Sequence, residues 1–196
     1  MGNDTKKLQA TGRFSLAHVE YQSLEEMDTH EDESSAYITQ ESCALAYQRC
    51  LPRIMELIST PDAPRTACHV VVLDPTLVLK QQIFSECLIF EASINQDSWD
   101  VDLQTLTRKK ARVSYRTGYD SFIVQREKPW LYMPGDNKYG GAIIRDGLVI
   151  STAATTEIVD ERISIMLFEE LAYICNIQTD EIMNDENSHF IKKYQL

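Results

Sequence analysis

The sequence predicts an α+β fold in which helices pack on a central antiparallel sheet. Apolar residues recur at helical spacing from Cys43 to Ile58 and again from about Ser98 to Arg116. Between these segments, the compact apolar run Cys68–Leu73 predicts a buried strand. Further on, two apolar runs flank Asp146-Gly147, which is a strong hairpin signal. Helices and strands in this order indicate a sheet covered by helices.

In the first half of the chain, Ser34, Ser35 or Thr39 can cap the first helix, and Pro52 is expected to kink or split it. Asp74-Pro75-Thr76 predicts a turn after the first strand. The segments Leu77–Gln82 and Ser85–Glu91 are then expected to continue as strands of an antiparallel meander.

The second half is predicted to form a helix, a loop, a hairpin and a last helix. Gly118 is expected to end the middle helix, and Phe122–Gln125 to form a short strand or helical turn. A loop is predicted from Lys128 to Lys138. The hairpin pairs residues 142–145 with 148–152, and Thr155 or Thr156 can cap the last helix.

The composition predicts one domain with polar ends. The chain has 196 residues, of which 43% are hydrophobic, so it can bury a sizeable core. Residues 1–38 form an acidic segment without apolar periodicity, which indicates a partly disordered N-terminal arm. We place the core domain at residues 39–177 and a C-terminal tail at residues 178–196.

The formal net charge of −11 argues against binding to nucleic acid or to an anionic membrane surface. No apolar run approaches the roughly 20 residues that a membrane span needs, and the N-terminus lacks the apolar core of a signal peptide. The five cysteines form no C-x-x-C pair. They are expected to be reduced, which predicts a cytoplasmic protein.

No catalytic or metal-ligating motif stands out in the sequence. None of the four histidines lies at metal-ligand spacing from another histidine or a cysteine, so no metal site is predicted. His69 lies in a predicted strand, where a surface residue or one with satisfied hydrogen bonds is more common than a ligand. Asp160-Glu161 at a helix start is explained by the helix dipole. The sequence identifies no catalytic residues.

The middle helix carries the chain's concentrated positive charge, and this suggests an anion site where it meets the hairpin. The glycines before the hairpin can let backbone amides approach a ligand, and aromatic residues of the preceding loop can line a pocket. The basic face can instead lie in solvent or pair with the acidic segment Glu25–Glu33. The predicted ligand-binding residues are Arg108, Lys109, Arg112, Arg116, Gly140, Gly141, Trp130 and Tyr132.

Three short motifs resemble a known family. They are C-H-V-V-V-L-D at residues 68–74, R-K-K-A-R-V-S-Y-R-T-G at residues 108–118, and the Gly-Gly hairpin followed by Ala153-Ala154-Thr155 and Asp160-Glu161. They resemble the haem-binding and glycolate-operon-associated family, whose members are called HbpS-like and GlcG-like and were formerly named haem-degrading domains. Trp99 and Arg108-Lys109 look similar to its UPF0303 branch. The resemblance covers about Thr39 to Ile177.

The resemblance implies a profilin-like αβ layered fold and assembly into dimers or larger rings. It also implies a small-ligand-binding protein, with haem or another tetrapyrrole as the expected cofactor. The basic helix suggests a small carboxylate as another ligand. One alternative is a non-catalytic oligomeric scaffold or adaptor that meets protein partners through the acidic arm. A second alternative is an enzyme that acts on a small organic substrate.

Overall fold

The computed structural model describes residues 34–60, 66–184 and 191. The predicted acidic arm therefore lies largely outside the described residues. The described residues form five α-helices and four strands, with short 3₁₀ turns at Gln96–Ser98 and Pro129–Leu131. In chain order they are α1 (Gln40–Ile58), β1 (Cys68–Leu73), α2 (Pro75–Leu79), β2 (Leu88–Ile94), α3 (Leu103–Thr117), α4 (Ser121–Glu127), β3 (Ala142–Arg145), β4 (Leu148–Ala153) and α5 (Glu157–Met183).

The four strands form one antiparallel sheet in the order β2-β1-β4-β3. The predicted strand Cys68–Leu73 is confirmed and pairs on both sides, with β2 and with β4. The predicted hairpin is also confirmed. Its turn residues Asp146 and Gly147 have φ values of 49° and 88°, the positive angles that a tight hairpin turn between right-twisted strands requires.

The sheet lies between helices on both faces, so the predicted α+β layered fold is confirmed. Alternate residues of a strand point to opposite faces. Val70 and Val72 of β1 pack in a core with α1 and α5, whereas Val71 and Leu73 pack in a second core with Val78 of α2 and Ala111 of α3. All six residues of β1 and all six of β4 are buried, as expected for central strands covered twice.

The segment Leu77–Gln82 was predicted as a strand, and that prediction is wrong. Residues Pro75–Leu79 form the short helix α2. The Asp74 carboxylate accepts hydrogen bonds from the backbone N–H groups of Thr76, at 2.8 Å, and Leu77, at 3.4 Å. A capping aspartate followed by proline at the first helical position favours a helix start, and here it outweighs the apolar alternation.

Several element bounds also differ from the sequence prediction. The middle helix starts at Leu103 rather than Ser98, because Asp102 caps it by accepting from the Thr105 N–H at 2.9 Å. Gly118 ends it in the left-handed conformation, as predicted. Pro52 does not divide α1. The last helix, capped by Thr156, continues to Met183.

Residues predicted as a short strand or helical turn at Phe122–Gln125 lie within the helix α4. The second strand begins at Leu88 and continues through Ile94, later in the chain than the predicted Ser85–Glu91. Within the described part of the chain, no helix combines the length and the apolar character that crossing a membrane requires.

Candidate functional site

A cleft of about 490 Å³ opens beside the start of α5. Three parts of the fold build it: the first turns of α3, the end of β4 with the loop into α5, and the loop before β3. Its walls are largely apolar, and its polar groups gather around the start of α5. The lining residues are Val101, Leu103, Leu106, Lys110, Asn137, Tyr139, Ala153, Ala154, Thr155, Thr156, Glu157 and Asp160.

A buried ion pair joins α3 to α5 at this cleft. The Lys110 ammonium donates to the Asp160 carboxylate at 2.6 Å and to the Thr152 carbonyl at 3.1 Å. The two side chains are only 4% and 7% exposed. An ammonium group has three N–H donors, and these two partners account for two of them.

Asp160 also holds the loop between β4 and α5 in place. Its second carboxylate oxygen accepts hydrogen bonds from the backbone N–H groups of Ala154, at 2.8 Å, and Thr155, at 3.2 Å. Burial raises the pKa of Asp160, while the nearby Lys110 ammonium and these two amides act to lower it. Asp160 therefore does more than complement the helix dipole, which was the interpretation from sequence.

Gly141 packs directly against this ion pair. A Cβ atom there would lie 2.7 Å from the Asp160 Cβ, 2.8 Å from the Thr152 carbonyl oxygen and 3.0 Å from the Lys110 Nζ. Its φ of 119° also lies in the region that favours glycine. The carbonyl of Gly141 accepts from the Ser164 hydroxyl at 2.7 Å. Gly141 thus borders the site by close packing with Lys110 and Asp160.

Of the other predicted site residues, Arg108 and Arg116 are engaged in ion pairs. Arg108 binds both carboxylate oxygens of Glu91, at 2.7 and 2.5 Å. Arg116 binds Asp136 at 2.5 Å and the Leu131 carbonyl at 2.9 Å. Lys109 and Arg112 line a separate cleft of about 170 Å³ with Arg108.

The remaining predicted residues do not line the larger cleft. Gly140 packs on the ring of Phe122, which a Cβ at that position would meet at 2.7 Å. Trp130 is 73% exposed. Tyr132 is half-buried, and its hydroxyl donates to the Lys138 carbonyl at 3.1 Å.

A second polar cluster joins β1, β2 and α3. The buried His69 ring has Ser93 Oγ 2.9 Å from Nδ1 and Glu91 Oε1 3.3 Å from Nε2. The Trp99 ring meets His69 edge-on, with ring centroids 5.6 Å apart. His69 therefore has hydrogen-bonding partners, one of the two environments that its strand position favoured. Among the described residues, no group of three or more potential ligands is arranged to hold a metal ion.

The helical pattern of α3 contained a signal for Lys110. Leu103, Leu106 and Lys110 are spaced i, i+3 and i+7, so the lysine falls on the same face as the leucines. A lysine on the apolar face of a helix predicts a buried partner, since an unpaired charge is costly to bury. The identity of that partner, 50 positions later in the chain, had no comparable local signal.

Fold and cleft together define an α+β layered protein with a cleft between the start of α5 and the end of β4. In comparisons with known proteins, the chain is similar to a crystal structure of the Klebsiella pneumoniae protein ORFY, of the family model DUF336. The TM-score is 0.43 with 10% sequence identity, over 65% of this chain and 88% of that chain. No family model matches the sequence, and no curated protein matches it.

Proposed function

We propose that this protein binds a small, largely apolar molecule in the cleft beside Lys110 and Asp160. The observation that carries the proposal is a buried charged pair at the border of a concave, mostly apolar site. Cavities of roughly 300–1,000 Å³ with a few convergent polar groups are typical of small-molecule sites. The cleft of about 490 Å³ lies within that range.

The polar groups of the cleft favour a ligand with an oxygen acceptor, such as a small carboxylate or a carbonyl compound. The third N–H of Lys110 is a charged donor, and hydrogen bonds to charged groups contribute about 1.5–3 kcal/mol. Asp160 and Glu157 also line the cleft. Since two carboxylates repel a multiply charged anion, the ligand carries at most one negative charge.

Haem and other tetrapyrroles fit this cleft less well. Haem iron in proteins is held by histidine, cysteine, methionine or tyrosine. Among the cleft-lining residues, Tyr139 alone belongs to those types, and it is 46% exposed. A tetrapyrrole therefore has no buried axial ligand here, and a small carboxylate or carbonyl ligand is the better match.

We also propose that the protein is a homo-oligomer. Val101 and Tyr139 at the cleft, and Trp130, Met133 and Ile158 elsewhere, are large apolar side chains that are 39–73% exposed. Tyrosine, tryptophan and methionine are enriched at protein–protein interfaces. Light scattering of the full chain is expected to give a multiple of the 22.5 kDa monomer mass. A monomer mass at all concentrations would remove the oligomer from the proposal.

The binding test uses calorimetric titration of the full-length protein with benzoate, phenylacetate and benzamide as probes. Val101→Trp fills the mouth of the cleft, and Ile83→Trp is its control, because Ile83 is exposed and does not line the cleft. We expect at least one probe to bind, with affinity lowered tenfold or more by Val101→Trp only. Equal affinity of both variants for the probe would contradict the proposal that it binds in this cleft. A Soret band on haem addition with no probe binding would favour a tetrapyrrole instead.

A further inference from the structure

Ser93, His69 and Glu91 form a hydrogen-bonded chain across two neighbouring strands. Ser93 lies directly opposite His69 in the pairing of β2 with β1. Glu91 is two residues before Ser93 and so projects on the same face of the sheet. This places the serine hydroxyl 2.9 Å from His69 Nδ1 and the carboxylate 3.3 Å from His69 Nε2.

The carboxylate determines which nitrogen of His69 carries the proton. Burial acts to raise the pKa of Glu91, but the hydrogen bonds from Arg108 and His69 outweigh it and lower that pKa below its ordinary value. Glu91 is therefore ionised at neutral pH and can only accept hydrogen bonds. Nε2 must donate to it, so the neutral imidazole leaves Nδ1 as an acceptor for the Ser93 hydroxyl.

The imidazole is shielded while the serine is open to solvent. His69 is 2% exposed, and the Trp99 ring packs against it. Ser93 is exposed on β2, the outermost strand at one side of the sheet. A base protected from water next to an accessible hydroxyl is the arrangement in which a histidine activates a serine for nucleophilic attack.

We propose that Ser93 is a nucleophile that accepts acyl groups from small esters, with His69 as its general base and Glu91 as the positioning residue. The site lies outside the ligand cleft, since none of the three residues lines it. The substrate class is an unhindered acyl ester, because the hydroxyl lies on an open edge strand. Arg108 acts through Glu91 and keeps its carboxylate ionised and oriented.

The reaction has two steps. In the first, Ser93 Oγ forms a bond to the acyl carbon, its proton moves to His69 Nδ1, and the bond between the acyl carbon and the leaving oxygen breaks. The imidazolium gives that proton to the departing oxygen, which leaves as an alcohol. In the second, water attacks the seryl ester and its proton moves to Nδ1. The released carboxylic acid departs, and the proton returns to Ser93 Oγ.

The test is acetylation of the full-length protein by p-nitrophenyl acetate, followed by mass spectrometry of its peptides. We expect acetyl on Ser93, and its loss in Ser93→Ala. Ser98 provides the control, because it is also exposed but its hydroxyl donates to the Asn95 carbonyl at 2.7 Å rather than to a histidine. Ser98→Ala is expected to leave the rate unchanged.

His69→Gln is expected to lower the acetylation rate about 100-fold, the smaller end of typical general-base contributions. Glu91→Gln should lower it too, since the amide can offer a donor to His69 and no longer selects the tautomer. If His69→Gln does not fold, as judged by circular dichroism, the Glu91→Gln rate decides. No acetyl on Ser93, or an unchanged rate in the folded variants, overturns the proposal.

The pH profile separates a base from a merely structural histidine. Burial lowers the pKa of His69, Arg108 lowers it further, and Glu91 and Asp102 oppose this. The rate of Ser93 acetylation is expected to stay level from pH 8 down to pH 6.5, the ordinary pKa of histidine, and to fall only at lower pH. A rate that rises tenfold per pH unit through this range would indicate attack by hydroxide without His69.

Discussion

Lys110 and Asp160 form a buried ion pair at the cleft. Both side chains are over 90% buried, so water cannot replace a lost partner. Breaking such a pair from one side typically costs about 3–5 kcal/mol, whereas replacing both partners by apolar residues can be neutral. The pair therefore locks α3 to α5 and also makes each residue intolerant of substitution by itself.

Lys110→Met is expected to lower the free energy of unfolding by about 3–5 kcal/mol, because it leaves the Asp160 charge buried and unpaired. Urea denaturation measures this. Lys109→Met is the matched control, since the neighbouring lysine is exposed and should change stability by under about 0.5 kcal/mol. The double variant Lys110→Met/Asp160→Asn should recover part of the loss, because the neutral amide keeps an oxygen acceptor for the Ala154 and Thr155 N–H groups. Equal effects of the two lysine substitutions would contradict the buried pair.

Substitution of Gly141 tests how closely the backbone must approach the Lys110–Asp160 ion pair. Gly141→Ala places a methyl group 2.7 Å from Asp160 Cβ and 2.8 Å from a backbone oxygen. Gly135→Ala is the control, because its φ of 90° is also positive but no atom lies within 4 Å. Both lose about 1–2 kcal/mol for the left-handed backbone, and thermal denaturation should show a clearly larger loss for Gly141→Ala. Equal losses would show that the space around Gly141 adapts.

Among the elements, β1 and β2 are joined by a titratable contact. Burial holds the pKa of His69 below its ordinary value of 6.5. The unfolded chain therefore binds a proton near that pH while the folded chain does not, so stability decreases as the pH falls below 6.5. Glu91, whose pKa is also lowered, adds to this loss only below its own ordinary value of 4.5.

We expect the free energy of unfolding to fall between pH 7 and pH 5, as measured by urea titrations at each pH. His69→Phe keeps a ring of similar size and should flatten the dependence within this interval. Below pH 4.5 both proteins should lose stability together. A steep dependence in His69→Phe between pH 7 and pH 5 would assign the effect to other groups.

The elements also show where sequence patterns decide and where they compete. The strand Cys68–Leu73 and the Asp146-Gly147 hairpin were predictable, because a short continuous apolar run favours a buried strand and this turn dipeptide favours a hairpin. The segment after Asp74 carried two signals, an alternating apolar pattern and a capping aspartate followed by proline. The short helix forms because the Asp74 cap satisfies its first backbone N–H donors locally.

At the scale of the whole molecule, the cleft arises only when three distant segments meet. Leu103, Ala153 and Thr156 line it from α3, from β4 and from the start of α5. Sequence reasoning predicted most of the elements and the meeting of α3 with the hairpin. It placed the ligand-binding residues of α3 at Arg108, Lys109, Arg112 and Arg116, none of which lines this cleft. Lys110 and Arg108 project from different sides of α3. Lys110 lies on the same face as the leucines, whereas Arg108 reaches Glu91 on β2.

The most direct test of the proposed function is to map probe binding by NMR on the full-length, ¹⁵N-labelled protein. Benzoate addition is expected to shift the amide signals of Ala154, Thr155 and Glu157, which border the cleft. The shifts should be absent in Val101→Trp and kept in Ile83→Trp. Shifts confined to Thr105, Lys109 and Arg112, which line the smaller basic cleft, or no shifts with any of the three probes, would contradict the account.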